Sequence, residues 1–431
     1  MKIICKSMVD VSKPITDPKS NVKYLLKGEE AEIPDKKQYV EEVDLIVKSP
    51  MRQKVICPIF YDCGGCDLLH VNYEHQLNLK ASYLEDLYSK VKYKTQIPII
   101  KNQSPLHYRH KVVLSATTHQ NKLKLGLYRE NTKEIIPFLS CFLHDIVANK
   151  ILEDIEKLMN QYKITAYNIN SGNGILKHVL IRKSYHDLNY MVVFVTEGHI
   201  FPNGKKIIQE LVKKHPYIVT IVQNIHRKKT HLVLLDEEKV LYGNGYIFDE
   251  IQGIKFRLSA KSFYQINPLQ MLNLYQQALD LLNIKAHETI IDTYSGIGSI
   301  SLLLAKKARQ VIAIETNKKA HVDAEYSKKI NNITNVTFIH DDVERFISHY
   351  QGKIHGLVMD PTREGASQNF LNALLKLKPE KIVYISCEPK TQVRDLNVLA
   401  AKYSIDKVVA VDMFSQTVHV ETITLLSLKT A

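Results

Sequence analysis

Ile290-Ile291-Asp292-Thr293-Tyr294-Ser295-Gly296-Ile297-Gly298 decides the reading of the fold. A short apolar run closes on an acid and passes straight into a turn with two alternating glycines. That pattern predicts a buried strand followed by a tight turn where a ligand can approach the backbone. Downstream, short apolar runs alternate with helical spacing. Strands are expected at Val311 to Ile314, Val336 to Ile339, Gly356 to Met359 and Ile382 to Ile385, with helices near Ser299 to Lys307, through Ala324, and near Gln368 to Leu377. This alternation predicts an α/β domain with a doubly wound parallel sheet. The last runs, Asp406 to Val411 and Val418 to Leu426, lack an intervening helix and are expected to form an antiparallel hairpin at the sheet edge. Upstream, Asn267-Pro268 supplies an N-cap and a first-turn proline for a helix carrying Leu269, Leu272, Tyr275, Leu279 and Leu282.

The same turn carries a ligand argument. Glu315 ends the next strand, 19 residues after Gly296, where a carboxylate can accept hydrogen bonds from both hydroxyls of a ribose. Ser301 stands where a dinucleotide fingerprint needs its third glycine, which disfavours a dehydrogenase. His340-Asp341-Asp342 offers a second acidic turn at the adenine edge. Together these features fit S-adenosylmethionine better than a nicotinamide cofactor.

The chain has 431 residues and a formal net charge of +13, enough for two or three domains and for a phosphate-rich partner, with nucleic acid the first expectation. No run of about 18 apolar residues is present, so no membrane span is expected. The N-terminus lacks a secretory h-region, and a cytoplasmic, reducing compartment follows. Six cysteines there point to metal binding or catalysis before disulfides. Cys57, Cys63 and Cys66 share one loop with Gly64-Gly65 between the last two. Cys141 could complete a set of four for tetrahedral zinc or an iron–sulfur cube, and spacing alone does not choose between them.

Three chemistry-bearing residues close strands or open the loops after them: Asp360, Cys387 and Glu421. Such ends converge on one rim of an α/β sheet. A thiolate there is a strong nucleophile, and a carboxylate can serve as base. Residues 105–250 are dominated by strand-like runs, with one helix expected at about Asp145 to Gln161. Val71 to Tyr93 reads as an amphipathic helix with Tyr73, Leu77, Leu84, Leu87 and Tyr88 near one stripe. Rings and cations interleave at His107, Tyr108, Arg109, His110 and Lys111, at Tyr128-Arg129, and at His226-Arg227-Lys228-Lys229. That mixture suits base stacking and phosphate contact.

The chain resembles the RNA uracil-5-methyltransferase family, in its 5-methyluridine-forming, iron–sulfur-containing 23S ribosomal RNA branch, from about residue 50 to the C-terminus. The resemblance is carried by Cys57-Pro58, Cys63-Gly64-Gly65-Cys66-Asp67-Leu68-Leu69-His70, Tyr73 and Gln76-Leu77; by Leu106-His107-Tyr108-Arg109 and Lys111; by Ser262-Phe263-Tyr264-Gln265-Ile266-Asn267; by Asp292 to Gly298; by Asp360-Pro361-Thr362-Arg363 with Gly365; and by Ser386-Cys387 and His419-Val420-Glu421. It implies a Rossmann-like class I methyltransferase domain at 251–431 and a β-rich central RNA-binding and iron–sulfur domain at 53–250. A short degenerate, TRAM-like segment occupies 1–52, and helix 71–93 is a candidate to dock on the catalytic domain. It further implies Cys387 as the nucleophile toward carbon 6 of a uracil and Glu421 as the base that removes the carbon 5 proton. Gln265, Tyr294, Glu315, Asp342 and Asp360 would line the S-adenosylmethionine site, and Cys57, Cys63, Cys66 and Cys141 would hold a [4Fe-4S] cluster. The implied substrate is 23S ribosomal RNA with the target base swung out; no obligate protein partner is expected. A transfer-RNA enzyme and a catalytically silent RNA-binding assembly factor are the rivals. The chain departs from the family pattern at Thr362, where relatives carry a second proline, and at Ser295, where they usually carry cysteine.

Overall fold

The computed structural model describes residues 2–4, 22–34, 37–228, 230 and 232–430. The chain groups into two compact units. The first holds Met1–Pro105, Leu269–Thr293 and Val343–Ala431; the second holds Leu106–Pro268 and Tyr294–Asp342.

The first unit is built on strands Thr289–Thr293, Gly356–Met359 and Lys381–Ser386, parallel and adjacent in that order. They are buried almost throughout, because a parallel sheet is covered on both faces. Strand Glu421–Leu428 runs antiparallel beside Lys381–Ser386, and Tyr403–Val411 pairs antiparallel with Glu421–Leu428. The expected C-terminal hairpin is therefore present, with its second strand on the inside. It does not form the edge: Ile99–Ile100 adds a further, parallel strand outside Tyr403–Val411. Helix Pro389–Leu399, directly after Cys387, was not anticipated. Its signal was present, since Pro389 holds the first helical turn and Val393, Leu396 and Leu399 are buried at helical spacing. Helix Val343–His349 was also missed. Near the N-terminus, Lys2–Ile4, Glu30–Glu32 and Leu45–Val47 form a small antiparallel sheet with a core of Val22, Leu25, Ala31, Ile33 and Val40.

Helix Tyr73–Ser89 lies where a helix was expected but buries a different stripe. Gln76 and Lys80 are buried beside Leu79, Leu84, Leu87 and Tyr88, while Leu77 is only partly covered. Apolar periodicity missed this face because part of it is polar and satisfied by partners distant in sequence.

The second unit carries a seven-stranded mixed sheet in the order Glu238–Tyr242, Ile218–Ile225, Tyr190–Thr196, Leu176–Lys183, Lys111–His119, Lys122–Tyr128, Ile135–Pro137. Two helices, not one, interrupt these strands. Ile146–Gln161 was expected; Gly204–Lys214 is the crossover between the parallel pair Tyr190–Thr196 and Ile218–Ile225. Both helices feed one apolar core with Val112, Leu125, Val179, Val192 and Phe194. The unit also contains the parallel pair Gln310–Glu315 and Val336–His340 and helices Ser299–Leu304 and Lys318–Ile330. Among the described residues, no helix is long and apolar enough to cross a membrane.

Candidate active site

In the first unit, Asp360 directly follows strand Gly356–Met359 and Cys387 directly follows Lys381–Ser386. Glu421 opens the antiparallel strand whose next residue, Thr422, pairs with Ser386. Strand direction thus places all three at one rim of the sheet. They interact there. The Cys387 thiol is pushed up to about 11, chiefly by burial and then by the charges of Glu421 and Asp360; Arg363 opposes this with its charge and a hydrogen bond to the sulfur. Glu421 is 2% exposed. Burial, and then Asp360, hold its carboxyl well above the usual carboxylate range, while Arg363 pulls it back. Burial raises Asp360 to about 7. Two acids, a thiol and one guanidinium therefore share one patch of field, the arrangement that tunes groups for proton transfer and nucleophilic attack. Glu421 Oε2 is buried and has no hydrogen-bond partner among the described residues. A buried acceptor left open in an otherwise satisfied region marks a place where a reacting group can bind.

The loop carrying Arg363 is braced from helix Pro389–Leu399. Asp395 accepts from the Ala366 amide at 2.8 Å and from the Tyr384 hydroxyl at 2.7 Å. Arg394 donates to the Glu364 and Ala366 carbonyls, and the Thr391 hydroxyl donates to the Arg363 carbonyl. Gln392 fastens the same helix to the strand behind Glu421. Its Nε2 donates to the Tyr384 carbonyl and its Oε1 accepts from the Thr422 hydroxyl at 2.9 Å. Sequence alone assigns Arg363 no role. Its influence becomes visible only when the loop folds back on the thiol. Thr362, the first departure from the family pattern, is exposed, and its carbonyl accepts from the Gly365 amide.

In the second unit, the Gly-rich turn has the backbone that its residues imply. Tyr294 sits at φ 60°, Gly296 at 56° and Gly298 at 79°. For a bulky residue such as tyrosine this conformation is strained and characteristic of functional turns. A Cβ at Gly298 would meet the Phe338 ring at 2.5 Å, whereas one at Gly296 would enter open space. Gly298 therefore permits packing, and Gly296 leaves an open approach to the backbone. Glu315 ends strand Gln310–Glu315; its carboxylate accepts from the Gly296 amide at 2.8 Å and the Asn317 amide at 2.6 Å. It thus braces the turn while standing where a ribose carboxylate was expected. Ser295 Oγ is buried without a hydrogen-bond partner among the described residues. Gln265 is 6% exposed. Its segment is held by the His110 amide on the Ile266 carbonyl at 2.9 Å and by Arg182 on the Ser262 carbonyl. Asp342 is exposed, and its amide donates to Asp341 Oδ1 at 2.6 Å. Gln265, Tyr294, Glu315 and Asp342 belong to this unit, and Asp360 belongs to the first.

The family model described as "tRNA (Uracil-5-)-methyltransferase" matches residues 72–429. The chain belongs to this family. It is an RNA methyltransferase. Among similar proteins, an uncharacterized RNA methyltransferase of Bacillus cereus is 37% identical over 418 residues, spanning 94% of this chain and 91% of the relative. Another, of Oceanobacillus iheyensis, is 37% identical over 397 residues, spanning 90% and 86%. A crystal structure of the Pyrococcus abyssi tRNA (uracil-54, C5)-methyltransferase in complex with S-adenosyl-L-homocysteine has the same fold, with a TM-score of 0.78 and 23% identity, spanning 99% of this chain and 100% of that one.

The cysteines of this methyltransferase divide between the units. Cys57, Cys63 and Cys66 lie in the first, unbridged and partly exposed; Cys141 lies in the second, also unbridged. Burial pushes the Cys141 thiol up, opposed by backbone amides of Leu143 and His144 that donate toward the sulfur. Thiols free of disulfides, with amide donors at one of them, are chemically suited to a thiophilic centre. Among the described residues, however, no group of three or more His, Cys, Asp or Glu side chains is placed to hold a metal ion. Cys5 lies outside the described residues.

Several rings expected to face RNA are instead part of the scaffold. Tyr108 and His226 are buried, and the His226 ring bonds the Leu232 carbonyl. His110 is largely covered, and burial lowers it to about 4. Arg129 pairs with Glu134 at 2.8 Å. Tyr128 is exposed, as is Phe263 at 66%. Arg227 and Lys228 are exposed, and Lys229 lies outside the described residues.

Proposed function

We propose that the enzyme methylates carbon 5 of one uridine in 23S ribosomal RNA, using Cys387 as nucleophile, Glu421 as base and S-adenosylmethionine as methyl donor. The supporting observation is the shared rim of Cys387, Glu421, Asp360 and Arg363, with Glu421 Oε2 left open. Gln265, Tyr294, Glu315, Asp342 and Asp360 would hold S-adenosylmethionine, which when bound supplies an electrophilic methyl group. The open approach at Gly296 and the strained Tyr294 suit a bound nucleoside. Arg363 favours the Cys387 thiolate, which adds to carbon 6 and moves the ring's electron pair toward carbon 5. Carbon 5 would take the methyl group with that pair, and the electrons of the broken sulfur–methyl bond would leave with the donor's thioether. Glu421 then takes the carbon 5 proton, and the carbon–hydrogen bonding pair restores the carbon 5–carbon 6 double bond and expels the Cys387 thiolate. General-base assistance of this kind is worth roughly 10²–10⁴-fold.

The division into segments 1–52, 53–250 and 251–431 belongs to the same proposal, with RNA contacts assigned to the first two. So does a [4Fe-4S] cluster on Cys57, Cys63, Cys66 and Cys141, supported by their unbridged thiols and the amides at Cys141. Anaerobic preparation with iron and sulfide should then yield a brown protein, and chelation should bleach it. Mapping 5-methyluridine in ribosomal and transfer RNA from a deletion strain tests the substrate. Loss from a single 23S position is expected; loss from transfer RNA alone would overturn the ribosomal assignment.

A further inference from the structure

The segment Asp412–Val420 joins strand Tyr403–Val411 to strand Glu421–Leu428 without regular structure, yet Asp412, Met413, Ser415, Gln416, Thr417 and Val420 are all buried. Connecting loops ordinarily run over the surface, because a buried one must find a partner for every backbone polar group. The Asp412 backbone bonds the Ile100 carbonyl and Gln270 Nε2, and further along the loop partners come from the cysteine loop and helix Tyr73–Ser89. The amides of Asp67 and Leu68, immediately after Cys66, both donate to the Gln416 carbonyl at 2.9 Å. Asp67 Oδ2 accepts from the Val418 amide at 3.1 Å. Gln76 and Gln416 are paired reciprocally: Gln76 Nε2 donates to Gln416 Oε1 at 2.8 Å, and the Gln416 amide donates to Gln76 Oε1 at 3.1 Å. Gln76 Nε2 also donates to the carbonyls of Leu68 and Val71, which ties the same glutamine to the cysteine loop. Gln416 itself sits at φ 69°, a conformation that a side chain of this kind keeps only where its surroundings impose it.

We infer that the end of the cysteine loop is a positioning element for Glu421, acting through Asp67, Gln76 and Gln416. The contacts end at Val418, three residues before the carboxylate, and nothing bonds Glu421 Oε2 beyond them. The backbone of Glu421 is paired with Val411 in the strand ladder, and the 66–68 strip holds the chain that delivers Glu421 to that strand. The consequence is specific. Disturbing this strip should impair removal of the carbon 5 proton and leave attack by Cys387 intact, because none of the bonds just described reaches Cys387.

The inference rests on the assignment of Glu421 as base, and the experiment separates the two. RNA carrying tritium at carbon 5 of the target uridine is given, with S-adenosylmethionine, to the wild-type enzyme and to the Gln416→Ala, Gln76→Ala, Asp67→Ala and Glu421→Gln variants. The fraction of enzyme held as a denaturant-stable RNA adduct and the rate of tritium release are both measured. The inference expects Gln416→Ala and Gln76→Ala to hold a larger fraction as adduct than wild type does, with KM for RNA unchanged and tritium release slowed roughly 10–100-fold. A variant combining Gln76→Ala with Gln416→Ala, measured in the same way, should be no slower than the worse single one. Asp67→Ala, which removes only the contact to Val418, should slow the same step by less and covers the case in which Gln416→Ala does not fold. Adduct formation and tritium release falling in equal proportion would show a merely structural role and overturn the inference, as would unchanged release. If Glu421→Gln itself releases tritium at the wild-type rate, the base assignment fails and the inference falls with it.

Discussion

Two regions of the first unit bury polar side chains to a similar depth and use them in opposite ways. Around Asp412 every group described has an answer. Lys80 Nζ lies 2.5 Å from Asp412 Oδ1, with both side chains fully buried, and Asp412 Oδ2 accepts from the hydroxyls of Tyr73 at 2.7 Å and Ser415 at 2.6 Å. At the rim, Glu421 Oε2 is open; burial raises all three groups, Asp360 adds to the rise of Glu421, and both acids add to that of the thiol, against a single arginine. Burial of polar groups therefore does not by itself distinguish a site from a scaffold. A satisfied network holds shape, whereas an unsatisfied one is poised to act on something else.

The contrast can be broken most sharply at the nucleophile. Cys387→Ala should abolish methylation, leave the melting temperature within about 1–2 °C of wild type and preserve RNA binding; methyl-transfer assays with a filter-binding control decide this. Lys80→Met should behave in the reverse sense. It leaves Asp412 buried without its cation and should cost about 3–5 kcal/mol of stability in urea titration, with Asp412→Asn added to it recovering part of the loss.

The electrostatics of the rim give a smaller, signed effect. Arg363 favours the thiolate, so Arg363→Met should move the pH profile of Cys387 alkylation upward. Glu421→Gln removes a neighbouring negative charge and should move it downward. Shifts in the same direction would contradict the arrangement. A stability effect is also expected at Asp360. Its proton affinity is higher folded than unfolded, so its contribution falls as pH rises from about 4, its ordinary value, to about 7. Asp360→Asn should therefore gain stability over wild type as pH rises through that window, and converge with it near pH 4.

Much of the rim was legible in sequence. Asp360, Cys387 and Glu421 each abut an apolar β run, and strand direction alone brings such positions to one edge. The glycine turn was equally legible, because positive φ at residues 296 and 298 has a compositional signature. The bracing was not. Gln76 and Lys80 look like solvent-facing residues of an amphipathic helix, and their partners Gln416 and Asp412 lie more than 300 positions away. No local pattern encodes such a pairing. Tyr108 and His226 failed for the complementary reason: aromatic and basic residues in a row look like a binding surface whether they face solvent or core.

The central claim is that Cys387 bonds to a uracil that Glu421 then deprotonates. Its most direct test is Glu421→Gln incubated with target RNA and S-adenosylmethionine, then nuclease and protease digestion and mass spectrometry of the peptide containing Cys387. The account predicts that peptide carrying a 5-methyl-5,6-dihydrouracil nucleotide bonded through carbon 6 to the cysteine sulfur. Recovery of the unmodified peptide alongside normal yields of 5-methyluridine would contradict it.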